Sequence, residues 1–439
     1  MAFCRQVLLQ LRVMNAAARK VQQTYLTLIL FNTLAASLIW GINTLFLLDA
    51  GLSNLEAFAA NAFFTAGMVL FEIPTGVVAD LRGRRLSFLL GALTLAVSTF
   101  LYFVMWQMAA PFWGWAVTSV LLGLGFTFFS GAMEAWLVDA LLFTGYKGKV
   151  ENVFAKGQIV MGIAMLTGSI GGGVIAQATN LGVPYIIRGI ILAATFVMAF
   201  ILMRDLGFNP KSGKHPVKEI KNILHSSIDH GLRNPPVRWV MLAAPFAAGV
   251  GIYGFYALQP YLLELWGNPH AYGIAGLTAA IVAGAQIAGG ILVPHVGRYF
   301  KRRTTVLLTT IVLSTTTLTL MGLIPNFWVV IVLVVIWGLL YAATIPVRQA
   351  YINDLIPSEQ RATVLSFDSL MSSGGGVVTQ PVLGKAADAW SYQTSYLLSG
   401  GIYGLAIPFA ILARRAGNRP NAKVADAISS YENPAKPAE

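Results

Sequence analysis

Apolar runs of about 20 residues, set end to end and divided by short polar turns, constrain this chain more than any other feature. Stretches such as 86–106 and 328–340 hold no charged residue at all. A bilayer core of roughly 30 Å is crossed by about 20 helical residues. Hydrocarbon offers no hydrogen-bond partner, so a crossing backbone must pair within a helix or a closed barrel. Barrel strands alternate polar and apolar residues over roughly ten positions, and these runs do not. Only 11% of the 439 residues are charged, against 56% hydrophobic, whereas soluble domains carry about 25% charged residues. The pattern predicts an all-α membrane protein of twelve transmembrane helices. The spans are placed near 24–48, 55–79, 86–106, 112–141, 153–178 and 184–203, then 237–264, 271–294, 303–323, 326–350, 362–387 and 392–413.

The net charge of +12 is explained by topology. With the N-terminus inside, every basic residue except Arg188 and Lys385 falls in an inside segment, as the positive-inside rule requires. Nucleic acid is therefore not an expected partner. The expected setting is the lipid bilayer of the cell inner membrane, with both termini cytoplasmic and the chain a monomer. Cys4 is the single cysteine, so no internal disulfide is expected. Residues 1–23 are basic but lack the cleavable apolar core of a signal peptide, and read as a cytoplasmic tail. No phosphate loop, metal-ligand spacing or catalytic nucleophile stands out. Neither an enzyme nor a bound cofactor or metal is expected.

Residues 204–236 form the one long polar stretch within the apolar region, with a short amphipathic helix expected near 217–230 and Pro235-Pro236 closing it. This linker divides a bundle over 24–203 from a second over 237–413, followed by a tail over 414–439. The halves repeat their motifs in the same order. Glu72-Ile-Pro-Thr-Gly76 recurs as Gln286-Ile-Ala-Gly-Gly290, and Ala135-Trp-Leu-Val-Asp139 as Ala350-Tyr-Ile-Asn-Asp354. Gly171-Gly-Gly-Val-Ile-Ala-Gln177 recurs as Gly374-Gly-Gly-Val-Val-Thr-Gln380. Such duplication builds many transporter folds and predicts two pseudo-symmetric six-helix bundles.

Between the second and third spans lies Gly76-Val-Val-Ala-Asp80-Leu-Arg-Gly83-Arg84-Arg85. Asp80 at a helix end can accept hydrogen bonds from a neighbouring helix N-terminus, and Gly83 permits a tight turn. Arg84 and Arg85 offer forked donors to a carboxylate such as Asp139. Together these five residues form a candidate conformational latch; simple anchoring of the loop by its arginines is the plainer alternative. The segment resembles the signature loop of the major facilitator superfamily, with Leu81 departing at its first basic position and Arg82 one place later. Glu72-x-Pro74 ahead of Asp80 is similar to the variant in some tetracycline exporters. Gly168-Ser-Ile-Gly-Gly172-Gly173 resembles the antiporter signature of drug/proton exchangers, with Ser169 in place of proline. Helix packing explains those glycines equally well. The resemblance implies two bundles rocking about a central cavity that spans one, four, seven and ten line.

Carboxylates at membrane depth are functional candidates by default. Glu72 lies about 12 Å deeper than Asp80 along the second span, and is a proton-coupling candidate with Glu134 and Asp368. Glu134 and Asp139 sit about 140° apart around their helix, so they do not share a face. Arg348 has Asp368 or Glu134 as possible partners. On the implied cavity-lining spans, Trp40, Trp136, Tyr253, Tyr256, Trp337, Tyr341 and Arg348 are substrate-cavity candidates, although most membrane aromatics face lipid or interfaces. The expectation is a proton-coupled exporter whose partners are protons and a small amphipathic or hydrophobic substrate. An importer of a nutrient or siderophore is the alternative, and a non-transporting sensor a third.

Overall fold

The structure, a computed structural model, describes residues 15–210, 231–299, 302–356 and 361–416. The expected linker helix near 217–230 and most of both tails lie outside the described residues. The first span is α1 (Ala16–Trp40) with α2 (Asn43–Asp49), then α3 (Asn54–Arg82) and α4 (Arg84–Gln107). The fourth span is split into α5 (Phe112–Phe129) and α6 (Ala132–Phe143), followed by α7 (Val150–Ala178) and α8 (Gly182–Leu202). After the linker come α9 (Pro235–Trp266), α10 (Tyr272–Tyr299), α11 (Arg303–Leu323) and α12 (Phe327–Leu355). The chain then forms α13 (Arg361–Ala389), α14 (Tyr392–Gly404) and α15 (Ala406–Ala416).

Among the described residues, eleven segments are long and apolar enough to cross a membrane. α13 supplies a further span by its length of 29 residues; glycines, serines, Asp368 and Lys385 lower its hydropathy. Caps rather than hydropathy fix where helices start. α1 begins ahead of its apolar run because the Asn15 side chain accepts the Ala18 N–H at 2.7 Å. α3 opens on a capping box, in which Ser53 and Glu56 satisfy each other's backbone N–H groups. The expected tight turn occurs at Gly83, whose φ is +106°, between the two helices that carry the arginine loop. Exposed side chains such as Phe100, Val117, Ile163, Phe200 and Val332 give the bundle an apolar exterior suited to lipid.

The sequence repeat reappears as a repeat of packing. α1 packs on α7 as α9 packs on α13, α3 on α5 as α10 on α12, and α4 on α8 as α11 on α14. Glycines set these close approaches. A Cβ at Gly172 would fall 1.8 Å from the Leu38 carbonyl oxygen, and one at Gly375 2.0 Å from that of Pro245.

Two faces of the bundle differ. The face carrying Arg82, Arg84 and Arg85 is here called the basic face. Near it, one buried cluster draws only on α1 and α4–α8, around Tyr25, Phe88 and Trp136. Another there draws only on the second half, around Val237, Met241 and Ile352. Toward the opposite face the clusters cross the divide: Leu263, Ala271 and Ala275 join the first half's core, and Phe58 joins the second's. Across the same divide Gly173 meets Gly276, with a Cβ on the former 2.8 Å from the Cα of the latter.

Gly173→Val should therefore overpack the α7–α10 crossing, lowering stability by about 1–3 kcal/mol, whereas Gly171, with open space at its Cβ position, should tolerate alanine. Thermal unfolding of the detergent-solubilised variants followed by tryptophan fluorescence checks this. An unchanged midpoint for Gly173→Val would contradict the packing.

Candidate functional site

Two interruptions in the helices locate the site. Non-helical backbone at membrane depth persists only where protein or a water-filled cavity satisfies it. The fourth span breaks at Ser130-Gly131, where Gly131 has φ +68°, a left-handed conformation that glycine adopts without strain. This restarts the helix as α6 and sets Glu134 in its first turn, where the helix dipole favours a carboxylate. It also turns the Ser130 hydroxyl onto Glu72, donating to Oε1 at 2.8 Å. Pro74 lies within the continuous α3 just beyond, where the Thr75 hydroxyl donates to the Phe71 carbonyl at 2.8 Å.

Glu72 and Glu134 both face a cavity of about 780 Å³ between the halves. Asn32 and Thr33 of α1, Met68 of α3, Phe126 and Phe129 of α5 and Ser369 of α13 contribute to its wall. The two glutamates are its charged lining residues, and neither forms an ion pair among the described residues. Phe88 and Leu365, about one turn from the starts of α4 and α13, also line it. It thus reaches close to the basic face. A second cavity of about 310 Å³ is lined by Tyr341, Gln349, Arg348 and Asp368 and shares Leu365 and Ser369 with the first. Arg348 pairs with Asp368, one of the two partnerships open in the sequence.

On the other side of the cavity the halves are sealed by polar contacts. α1 stops at Trp40, and the Gln259 side chain of α9 enters the gap. Its amide donates to the Trp40 carbonyl at 2.8 Å and its carbonyl accepts the Thr44 N–H at 2.8 Å. Those are the two groups that an unbroken helix would pair with each other. Asp388, at the end of α13, accepts the Asn54 and Leu55 N–H groups at 2.9 and 2.8 Å, so the N-terminus of α3 is capped by the opposite half. The Gln380 amide also donates to the Thr65 hydroxyl at 3.4 Å.

Several sequence-based expectations require correction. Arg84 pairs with Asp80 at 2.7 Å. Arg85 donates from its guanidinium to the Phe200 carbonyl at 2.7 Å and from its backbone to Asp205 at 2.8 Å. Asp139 forms no ion pair among the described residues: the Arg84 guanidinium is held by Asp80 and that of Arg85 by the Phe200 carbonyl, while Asp205, just after α8, accepts the backbone N–H at the start of α4. The expected pairing is realised in the repeat, where Arg303 bonds Asp354, the counterpart of Asp139. Trp136 and Tyr253 do not line the cavity. Trp136 is buried in the first half with its indole on the Arg204 carbonyl, and Tyr253 bonds Ser395 within the second half's core. Trp337 is likewise buried core. Trp40 packs tilted against Phe255 with ring centroids 4.5 Å apart and belongs to the seal, as does Tyr256 beside it. Gln259, Asp388, Ser130 and Asp205 were missed. Uncompensated polar groups at membrane depth were the available signal for the first.

Comparison with known proteins agrees with this architecture. The family model of the Major Facilitator Superfamily matches residues 25–303 and 270–437. An uncharacterized MFS-type transporter of Methanocaldococcus jannaschii is 22% identical over 247 residues, 56% of this chain. The chain spans 61% of that relative's length. The multidrug resistance protein MdtG of Salmonella arizonae is 23% identical over 333 residues, covering 74% of this chain and 77% of MdtG. A mutant of the nucleoside transporter NupG superposes with a TM-score of 0.73 at 13% identity, over 90% of this chain and 99% of that one.

Gln259→Leu should strand the Trp40 carbonyl and the Thr44 N–H together, at about 1–3 kcal/mol for each buried group. That shifts the seal toward opening at least fivefold or so. The check is modification of Thr44→Cys, in a Cys4→Ser background, by an impermeant maleimide added from the side opposite the basic face. Labelling as slow as with Gln259 intact would show that the glutamine does not hold the seal.

Proposed function

Since the chain belongs to the Major Facilitator Superfamily, we propose that this membrane transporter is a proton-coupled exporter of small amphipathic or hydrophobic compounds. One observation carries the reading: the inter-half cavity has an aromatic and methionine-rich wall interrupted by two glutamates without cationic partners among the described residues. Such a wall suits an amphipathic solute, and mostly apolar pockets with a few placed polar groups are the usual form of small-molecule sites. The similarity to MdtG, a multidrug resistance protein by name, points the same way.

In this reading the basic face is cytoplasmic, the protein lies in the cell inner membrane, and it works as a monomer. The bundles over 24–203 and 237–413, tied by 204–236, rock about the seal and the cavity by alternating access. Glu72 and Glu134 exchange protons with the side to which the cavity opens. A proton binding more tightly in one state than the other shifts the balance between states by that difference in affinity. Asp368, paired with Arg348, ties α12 to α13 and stands beside the two glutamates as the third proton-coupling candidate. The latch of Asp80, Gly83, Arg84 and Arg85 governs closure at the basic face, with Asp205 in the place first given to Asp139.

Everted vesicles carrying a respiratory proton gradient, reported by a quenched pH dye, test this directly. Adding cationic, neutral and anionic amphipathic compounds should restore fluorescence only where the protein is present, and Glu72→Gln should slow that recovery by roughly tenfold or more. Active export that survives Glu72→Gln and Glu134→Gln together would remove the proton role from both. No response to any compound would favour uptake of a polar nutrient instead.

A further inference from the structure

Arg188 is one of two basic residues that the topology leaves away from the basic face. It lies on α8, two turns below that helix's outer end, and is 2% exposed. Its Nε donates to the Thr99 hydroxyl at 3.1 Å. Among the described residues no carboxylate pairs with it. The ionisable groups within electrostatic reach of its guanidinium are the phenols of Tyr102, Tyr185 and Tyr256. The first two belong to the same half, and Tyr256 belongs to α9 across the seal. A buried, unpaired cation at membrane depth is expensive and is retained for a function.

The seal beside it is polar rather than oily. The Tyr185 hydroxyl donates to Asn43 at 3.0 Å, and the Asn43 amide donates to Asn61 at 3.0 Å. The Thr65 hydroxyl donates to the Asn61 carbonyl at 3.0 Å and accepts from Gln380. One turn further along α3 is Met68, and the next is Glu72, both on the cavity wall. Buried polar atoms along this track lack partners: the Asn61 amide nitrogen, the Thr44 hydroxyl and the Gln380 carbonyl. Such atoms take up water readily. Hydrogen-bonded side chains and waters in series would let protons from the outer side reach the glutamates while the cavity faces the other way. Coupling requires that this does not happen.

We propose that Arg188 is the electrostatic barrier that makes the closed outer seal impermeable to protons and other cations. An uncompensated guanidinium in a low-dielectric setting raises the energy of any cation nearby, and an arginine beside a narrow polar passage excludes protons in this way. Thr99 orients the group through Nε, leaving the rest of the guanidinium to project its charge. Tyr256 of the second half lies within electrostatic reach of that charge in this structure, where the seal is closed. The inference rests on the proton-coupled reading. It concerns leakage without substrate, however, and so fails or holds independently of which compound is carried.

The test uses the full-length protein in liposomes loaded with a pH-sensitive dye, with an inside-negative potassium diffusion potential and no substrate. Wild type and Arg188→Lys should admit protons no faster than the lipid alone adds. Arg188→Gln should leak faster by on the order of tenfold, the effect of removing a unit charge about 10 Å from the path at an effective dielectric near 20. Thr99→Asp keeps the arginine but neutralises its field, and should leak likewise. This second variant reads the barrier even where Arg188→Gln fails to insert. A purely structural arginine would lower thermal stability in these variants without opening a leak. Proton entry at the wild-type rate in correctly inserted Thr99→Asp and Arg188→Gln would overturn the proposal.

Discussion

Hydrocarbon gives a peptide group nothing to bond to, and this constraint organises the molecule. It forces each crossing into helix, so any interruption must be satisfied by another part of the protein. The first span is interrupted at Gly41-Ile42, and the opposite half supplies the missing partner through Gln259. The fourth is interrupted at Ser130-Gly131, where a cavity opens and the freed serine turns to Glu72. One break is closed by the other bundle and one faces open space. The two halves are thereby joined on one side and parted on the other.

The same asymmetry appears in the apolar packing. Away from the basic face, buried clusters run across the divide and glycines of α7 and α10 touch backbone to backbone. Toward the basic face each half keeps its own core. Small residues at the crossing allow close approach without interlocking side chains, which suits a contact that must separate and reform. Polar contacts such as Asp388 on the start of α3 add direction to it, and each can exchange its partner for water when the face opens.

Much of the fold was legible because it depends on periodicity and composition. Span number and the duplication follow from apolar runs and repeated motifs, and the turn at Gly83 from a residue that needs no special context. The site was only partly legible. Glu72 and Glu134, which line the cavity, stood out because charge at membrane depth is costly whatever surrounds it. The aromatic candidates mostly failed because an aromatic residue on a long span serves core, lipid face or cavity equally well, and only neighbours decide. Tyr253 and Trp136 were thus indistinguishable in sequence from cavity residues. Gln259 and Asp388 act across the divide, on backbone groups that no local pattern reveals. The pairing of Asp139 was misjudged because Arg84 turns to Asp80 on the preceding helix and the Arg85 guanidinium to the Phe200 carbonyl, distant in sequence.

The central claim is that one side of the molecule opens as the other closes, driven by proton occupancy of the cavity glutamates. Spin labels at Leu142 and Arg415 near the basic face, and at Met108 and Trp328 near the opposite face, read both sides by pulsed electron–electron distance measurement. All four positions are exposed. Between alkaline and acidic pH the two distances should change in opposite directions. Distances that move together, or stay fixed across that range, would contradict the account.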